Sequence, residues 1–194
     1  MAKVVGPLFS VDARGKLADS LVFMGWRGLK TVRQWTKPSN PNTESQKEVR
    51  NAFSASVENW HPLLGNDKEA WKLRASGEPK SGFNIYMGLS SSALIELDAF
   101  NLFNEFGVSD DGSGDTEVSI TPSHGGTAKF WYGTQPGNYH DYEEVSLTAE
   151  TASTTVIDNL TSGQTYYGRF IQEEEKVDGD DLRGESGDYE FVAI

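Results

Sequence analysis

Three histidines, His61, His124 and His140, are the side chains of this chain best suited to moving protons near neutral pH. Catalysis by any of them requires a nucleophile and an orienting group converging in space. Ser10, Ser81 and Ser123 do not stand in a Gly-x-Ser-x-Gly elbow, and no Gly-x-x-x-x-Gly-Lys phosphate loop occurs. The absence of cysteine removes disulfides, thiolate metal sites and a thiol nucleophile. Carboxylates cluster twice, at Asp110, Asp111 and Asp115 and at Asp178, Asp180, Asp181 and Glu185. Neither cluster keeps the alternating register and closing glutamate of an EF-hand, so both are read as solvated loops. The sequence therefore assigns no catalytic, cofactor-binding or metal-ligating residues, and the chain is expected not to be an enzyme. What remains are aromatics. Trp131, Tyr139 and Tyr142 are candidates for a ligand-facing platform on which a sugar ring stacks. Strand alternation predicts that Trp131 and Tyr132 point to opposite sides, one of them into the core.

Charge is divided unevenly. Residues 1–109 carry 13 Lys+Arg against 11 Asp+Glu, whereas residues 110–194 carry 4 against 18, giving the overall −12. The step falls at Ser109-Asp110-Asp111-Gly112-Ser113-Gly114-Asp115. We read it as a linker, with domains at 1–109 and 117–194 joined by an acidic Gly/Ser segment at 110–116. A net charge of −12 opposes contact with nucleic acid or an anionic membrane. The early cations, Arg14, Lys16, Arg27, Lys30 and Arg33, are expected to meet carboxylates of neighbouring subunits rather than nucleic acid. No apolar run reaches the roughly 20 residues that span a bilayer, and the first residues lack a signal-peptide core. A soluble protein made in the cytoplasm is expected.

Several elements follow from periodicity. A strand is expected at 8–11, and residues 21–26 and 29–35 flank Arg27-Gly28 as a hairpin. Pro38 and Pro41 break regular structure. Thr43 and Gln46 then have capping-box spacing before a helix whose Gln46, Val49, Phe53, Val57 and Trp60 share one face. Asn66 to Glu69 repeats the cap spacing before a short helix carrying Ala70, Trp71 and Arg74. A third helix is expected over 92–106, with Leu94, Leu97, Leu102 and Phe106 at helical steps and Ser81-Gly82-Phe83-Asn84 as an upstream turn. Beyond the acidic segment the period becomes two, with strands expected at 117–121, 127–132, 144–149, 154–157, 165–172 and 188–194. The fold class is thus an α+β N-terminal module of a β-hairpin and short helices, followed by an all-β antiparallel sandwich.

Two segments of the second half resemble bacterial fibronectin type III-like domains. Lys129-Phe130-Trp131-Tyr132-Gly133-Thr134-Gln135-Pro136-Gly137-Asn138 resembles that family's strand and turn, and Asp158-Asn159-Leu160-Thr161-Ser162-Gly163-Gln164-Thr165-Tyr166-Tyr167 its Leu-x-Pro-Gly-x-x-Tyr segment, with Ser162 in place of proline. The resemblance implies a fibronectin type III or immunoglobulin-like sandwich in which a tyrosine hydroxyl satisfies backbone at a corner. Only about a dozen residues precede Thr127, too few for two opening strands, so an edge strand is expected from the first module or another subunit. The first half is similar to small tailed-phage and prophage virion-associated proteins. The similarity rests on Gly6-Pro7-Leu8-Phe9-Ser10, Ala13-Arg14-Gly15-Lys16-Leu17, Trp26-Arg27-Gly28, Val32-Arg33, the Pro38 to Arg50 segment, Trp71, Gly77, Ser81-Gly82-Phe83-Asn84 and Tyr86. It implies a structural part of a virion, a head-surface decoration or head–tail accessory protein, or else an adhesin-like tail module binding host-surface glycans. The implied partners are capsid, portal, connector or tail subunits and further copies in a homo-oligomer or symmetric lattice. The expected assembly contacts are Phe9, Arg14, Trp26, Arg27, Arg33 and Trp35.

Overall fold

A computed structural model describes residues 2–3, 15–18, 20–26, 29–37 and 39–194, with Ala2, Lys3, Trp26 and Leu29 placed by backbone alone. It divides the chain into two compact units, Met1–Asn42 and Thr43–Ile194.

The first unit is an antiparallel sheet of β1 (Ala2–Lys3), β2 (Gly15–Leu17), β3 (Leu21–Trp26) and β4 (Leu29–Gln34) in the order β1-β4-β3-β2. The expected hairpin is β3 and β4, paired from Leu21↔Gln34 to Trp26↔Leu29. The strand expected at 8–11 lies outside the described residues. Directly paired residues share a face. Rows such as Phe23↔Val32 and Leu17↔Leu21 gather apolar residues on one side, which Gln34 and Lys30 share, while Lys16↔Val22↔Arg33 marks the other. Among the described residues of this unit only Phe23 is buried, and Leu17 is 46% exposed.

The second unit opens with three helices. Thr43 caps α1 (Glu44–Trp60), its hydroxyl accepting from Gln46 N as the spacing predicted. The buried face follows the expected stripe only in part, since Val57 and Trp60 pack against the helical core. α1 buries Ala52 and Ser56 against α3 (Gly82–Glu96), with Ser56 Oγ 3.2 Å from Ser91 Oγ, and leaves Val49 and Phe53 more than half exposed. Small residues let the two helices approach closely, so the contact centres on 52 and 56 and the larger side chains fall to its flank. α2 (Gly65–Arg74) begins near the expected place, but Leu64 is its cap and supplies no side-chain bond. The third helix lies ten residues before the expected start. Ser81, expected in a turn, is its N-cap and accepts from Asn84 N at 3.2 Å. Tyr86 centres the helical core, its ring 4.9 Å from Trp60, 5.4 Å from Trp71 and 6.0 Å from Phe100.

Residues 97–106 are not helical. They form β5 (Ala99–Asn101) and the first half of β6 (Phe103–Asp110), strands that a sandwich beginning at residue 117 lacks. Phe103 and Phe106 stand three apart along β6. A straight strand would send residues three apart to opposite faces, but the register shifts between Asn104 and Gly107, where Glu105 takes φ +59°. The bulge turns both rings toward one core.

β6 pairs with β7 (Thr116–Pro122), and β7 with β10 (Ser153–Ile157), forming a three-stranded sheet. The opposing sheet runs β5-β12-β11-β8-β9, using β8 (Gly126–Gly133), β9 (Asp141–Leu147), β11 (Thr165–Val177) and β12 (Asp180–Glu185), with β13 (Tyr189–Val192) also on β11. The pairing is antiparallel except that β5 runs parallel to β12. All six strands expected after residue 116 are present; β12 was not foreseen. Inward residues of both sheets, Val118, Ile120 and Ile157 facing Phe130, Val145 and Phe170, form one core.

The acidic segment is not a linker. Residues 111–115 are the turn between β6 and β7, closed by Asp111 N donating to Asp115 O at 3.2 Å. Asp110 and Asp111 carboxylates accept amides of Gly112, Gly114, Ser113 and Asp115. The interior crosses this position: Ala70 of α2 belongs to the sandwich core, and Gly187 sits so close to Ala70 and Trp71 that a Cβ would overlap their backbone. The division at 110–116 thus gives way to one at 42/43, because surface charge reports solvent contact and not where the core is partitioned.

Candidate functional site

Alternation along β8 sends Ala128 and Phe130 into the core, with Tyr132 packed partly against it, and sends Lys129 and Trp131 outward. Trp131 lies directly between Tyr142 of β9 and Arg169 of β11. The Trp131 and Tyr142 rings meet at 4.7 Å between centroids with a 39° tilt, and Tyr142 is 45% exposed. Lys129 Nζ stands 5.4 Å from the Tyr142 centroid and 3.1 Å from Glu173 Oε1, whose hydrogen bond holds the ammonium pKa above its ordinary value. Arg169 Nε donates to Asp188 Oδ1 at 2.6 Å and stacks its guanidinium 5.5 Å from Tyr139. Burial pushes the Tyr139 hydroxyl up to about 12. Half-buried Trp131 and exposed Tyr142 thus meet ring to ring, and Tyr139 stands against Arg169, the strand neighbour of Trp131. The surface offers π-faces rimmed by internally paired charges, which suits a ligand with C–H faces and hydroxyl groups.

The remaining candidates are dispersed. His61 closes α1 through a backbone bond to Glu58 O, and His140 N donates to Tyr132 O. Ser123 and His124 do touch, Oγ to Nδ1 at 2.9 Å. The hydroxyl, however, donates to Asn101 Oδ1 and accepts from Leu102 N, so its proton is committed to Asn101. Asn101 in turn donates to Gln172 Oε1 at 2.6 Å and His124 O at 2.9 Å. Gln172 Nε2 continues to Gly125 O and Glu175 Oε1, and that carboxylate accepts from Thr127 N. With Asn101 and Gln172 essentially fully buried, this network pins the β7–β8 turn to β5 and β11. Gln172 was legible as a polar residue at an inward position, in register with Phe170.

A second buried polar contact escaped sequence reasoning. Asp67, fully buried at the start of α2, accepts from the Tyr189 hydroxyl at 3.0 Å and from Glu105 N at 3.2 Å. Beside it Asn66 Nδ2 donates to Phe106 O. The helix start thus satisfies the open edge of β6 where the bulge interrupts its ladder. Desolvation raises the Asp67 pKa against the lowering effect of these hydrogen bonds, and raises Tyr189 well above its ordinary value.

Of the expected assembly residues, Arg33 and Trp35 fall on the same side of the first sheet as Lys16, whose Nζ stands 4.2 Å over the Trp35 ring. Trp26 ends β3, and Phe9, Arg14 and Arg27 lie outside the described residues. Among the described residues no cluster of three potential ligands is placed to hold a metal, and no helix is long and apolar enough to cross a membrane. No family model, curated protein or solved structure matches the chain.

Proposed function

We propose that this chain is a non-catalytic structural subunit of a tailed-phage particle, a head-surface or head–tail accessory protein anchored through its N-terminal sheet. The observation that carries the reading is how little of that sheet's apolar side is buried among the described residues. A unit of this size needs help to be stable. Its apolar side of Leu17, Leu21, Phe23 and Val32 buries only Phe23 among the described residues. Such a surface gains stability when a capsid, connector or tail subunit covers it, at roughly 25 cal/mol per Å². Val49 and Phe53 on α1 add exposed apolar area in the second unit.

In this reading the sandwich is fibronectin type III or immunoglobulin-like. Support comes from two sheets over one core and from Tyr166, which packs against Phe191 while its hydroxyl accepts from Thr161 N at 3.1 Å. The contact is of the corner kind that the resemblance implies. The test is composition of purified particles by mass spectrometry and cryo-electron microscopy, comparing wild type with Leu17→Asp. Because Leu17 is exposed, folding is retained and incorporation is lost; wild-type occupancy by the variant refutes anchoring through this face. The Trp131 and Tyr142 surface favours a second reading, a glycan-binding tail module.

A further inference from the structure

The boundary between the two units separates charge more sharply than sequence position 110 does. Residues 1–42 carry 7 Lys+Arg against 2 Asp+Glu, about +5, and residues 43–194 carry 10 against 27, about −17. Of the described basic side chains in the strands of the first unit, Lys16 and Arg33 share one face and Lys30 lies on the other. Lys16, Val22 and Arg33 lie in one row across β2, β3 and β4, and so share a face. Lys16 and Arg33 are two strands apart, roughly 10 Å, and both are exposed. Trp35 stands beside them with Lys16 against its ring.

The second unit concentrates the opposite charge on the β11–β12 hairpin. Residues 173–181, Glu-Glu-Glu-Lys-Val-Asp-Gly-Asp-Asp, hold six carboxylates and one ammonium, a net −5 that equals the first unit's excess in magnitude. Some of these carboxylates are engaged: Glu175 accepts from Gln172 and Thr127, Glu173 pairs with Lys129, and Asp181 with Lys176. Glu174, Asp178 and Asp180 are exposed at its rim.

We infer that the Lys16–Arg33 face of the N-terminal sheet docks on the acidic β11–β12 hairpin of a second copy of this chain, joining copies head to tail. The inference deepens the structural reading above by naming a partner. Nucleic acid fits the same cations less well. Lys16 occupies the Trp35 ring on which a base would stack, and the large negative excess of the remaining chain repels a polyanion. A heterologous contact of this kind repeats from copy to copy.

Salt dependence gives the contact a signature. At about 0.01 M salt the Debye length of roughly 30 Å lets whole molecules of charge −12 repel one another. At about 0.15 M it falls to roughly 8 Å, which screens that repulsion while leaving charges at contact coupled. At about 1 M the contact itself is screened. Sedimentation velocity of the full chain should therefore show most self-association near 0.15 M and least at 1 M. Arg33→Glu, alone or with Lys16→Glu, and separately Glu174→Lys with Asp180→Lys, should each weaken association at 0.15 M by roughly tenfold or more. Mixing the two variants should restore a complex, because the intact hairpin of one meets the intact sheet of the other; a merely misfolded variant would not be rescued. A protein monomeric at every salt concentration, association unchanged by both variants, failed rescue, or capture of a duplex oligonucleotide in place of self-association would each overturn the inference. Variants whose self-association is unchanged yet which still enter particles would overturn this inference and leave the structural role standing.

Discussion

Replacing Asp67 tests how the helices are fastened to the sandwich. Its carboxylate accepts from the Tyr189 hydroxyl at 3.0 Å and from Glu105 N at 3.2 Å, and it is fully buried. Asp67→Ala leaves two donors unpaired, each costing about 1–3 kcal/mol. Removing a desolvated carboxylate offsets part of this, so the net loss is about 2–4 kcal/mol, or about 5–15 °C in Tm for a chain of this length. Asp67→Asn keeps an acceptor for Glu105 N and turns its amide toward the Tyr189 oxygen, for a loss within about 1 kcal/mol. The two variants also differ in pH dependence. Because the folded Asp67 pKa is raised, its neutral form is favoured by folding; that contribution is complete below the unfolded pKa near about 3.9 and is lost as pH rises through the folded value. Asp67→Asn should therefore gain on wild type as pH rises above about 4. Tyr189, its own pKa well raised, remains a donor throughout. Urea unfolding followed by Trp60 and Trp71 fluorescence reads these differences. A loss below about 0.5 kcal/mol for Asp67→Ala, or a gap between wild type and Asp67→Asn that stays constant with pH, would refute the reasoning.

Gly187→Ala places a methyl against the backbone of Ala70 and Trp71 and should lower stability by at least about 2 kcal/mol in thermal unfolding. Tyr166→Phe removes only the acceptor for Thr161 N and should cost about 0.5–1.5 kcal/mol by the same measurement. Trp131→Ala and Tyr142→Ala should leave the fold intact by circular dichroism; if the glycan reading holds, each abolishes binding on a glycan array, and Tyr139→Phe does not.

Much of the fold was legible locally. Thr43 announced α1 because a cap bond is made within four residues, and the six strands after residue 116 showed their alternation plainly. What failed depended on contacts distant in sequence. The bulge at Asn104 to Gly107 gave a strand the spacing of a helix, and only Asp67, 38 residues upstream, satisfies the backbone it opens at Glu105. The exposed flank of α1 was unreadable for a similar reason, since Ser91 decides which side of the helix is covered. Of the candidate site, alternation correctly separated Trp131 from Tyr132, while the capture of Tyr139 by Arg169 required knowing that Arg169 and Asp188 converge.

The two strands supplied by residues 99–110 make the sandwich poorly portable. A fragment cut at the acidic turn would lose a wall of its own interior, stripping Phe103 and Phe106 from the rings of Phe170 and Tyr189 that they stack upon. Anyone transplanting this β-domain as a display scaffold would have to begin the graft at Thr43 and carry all three helices along.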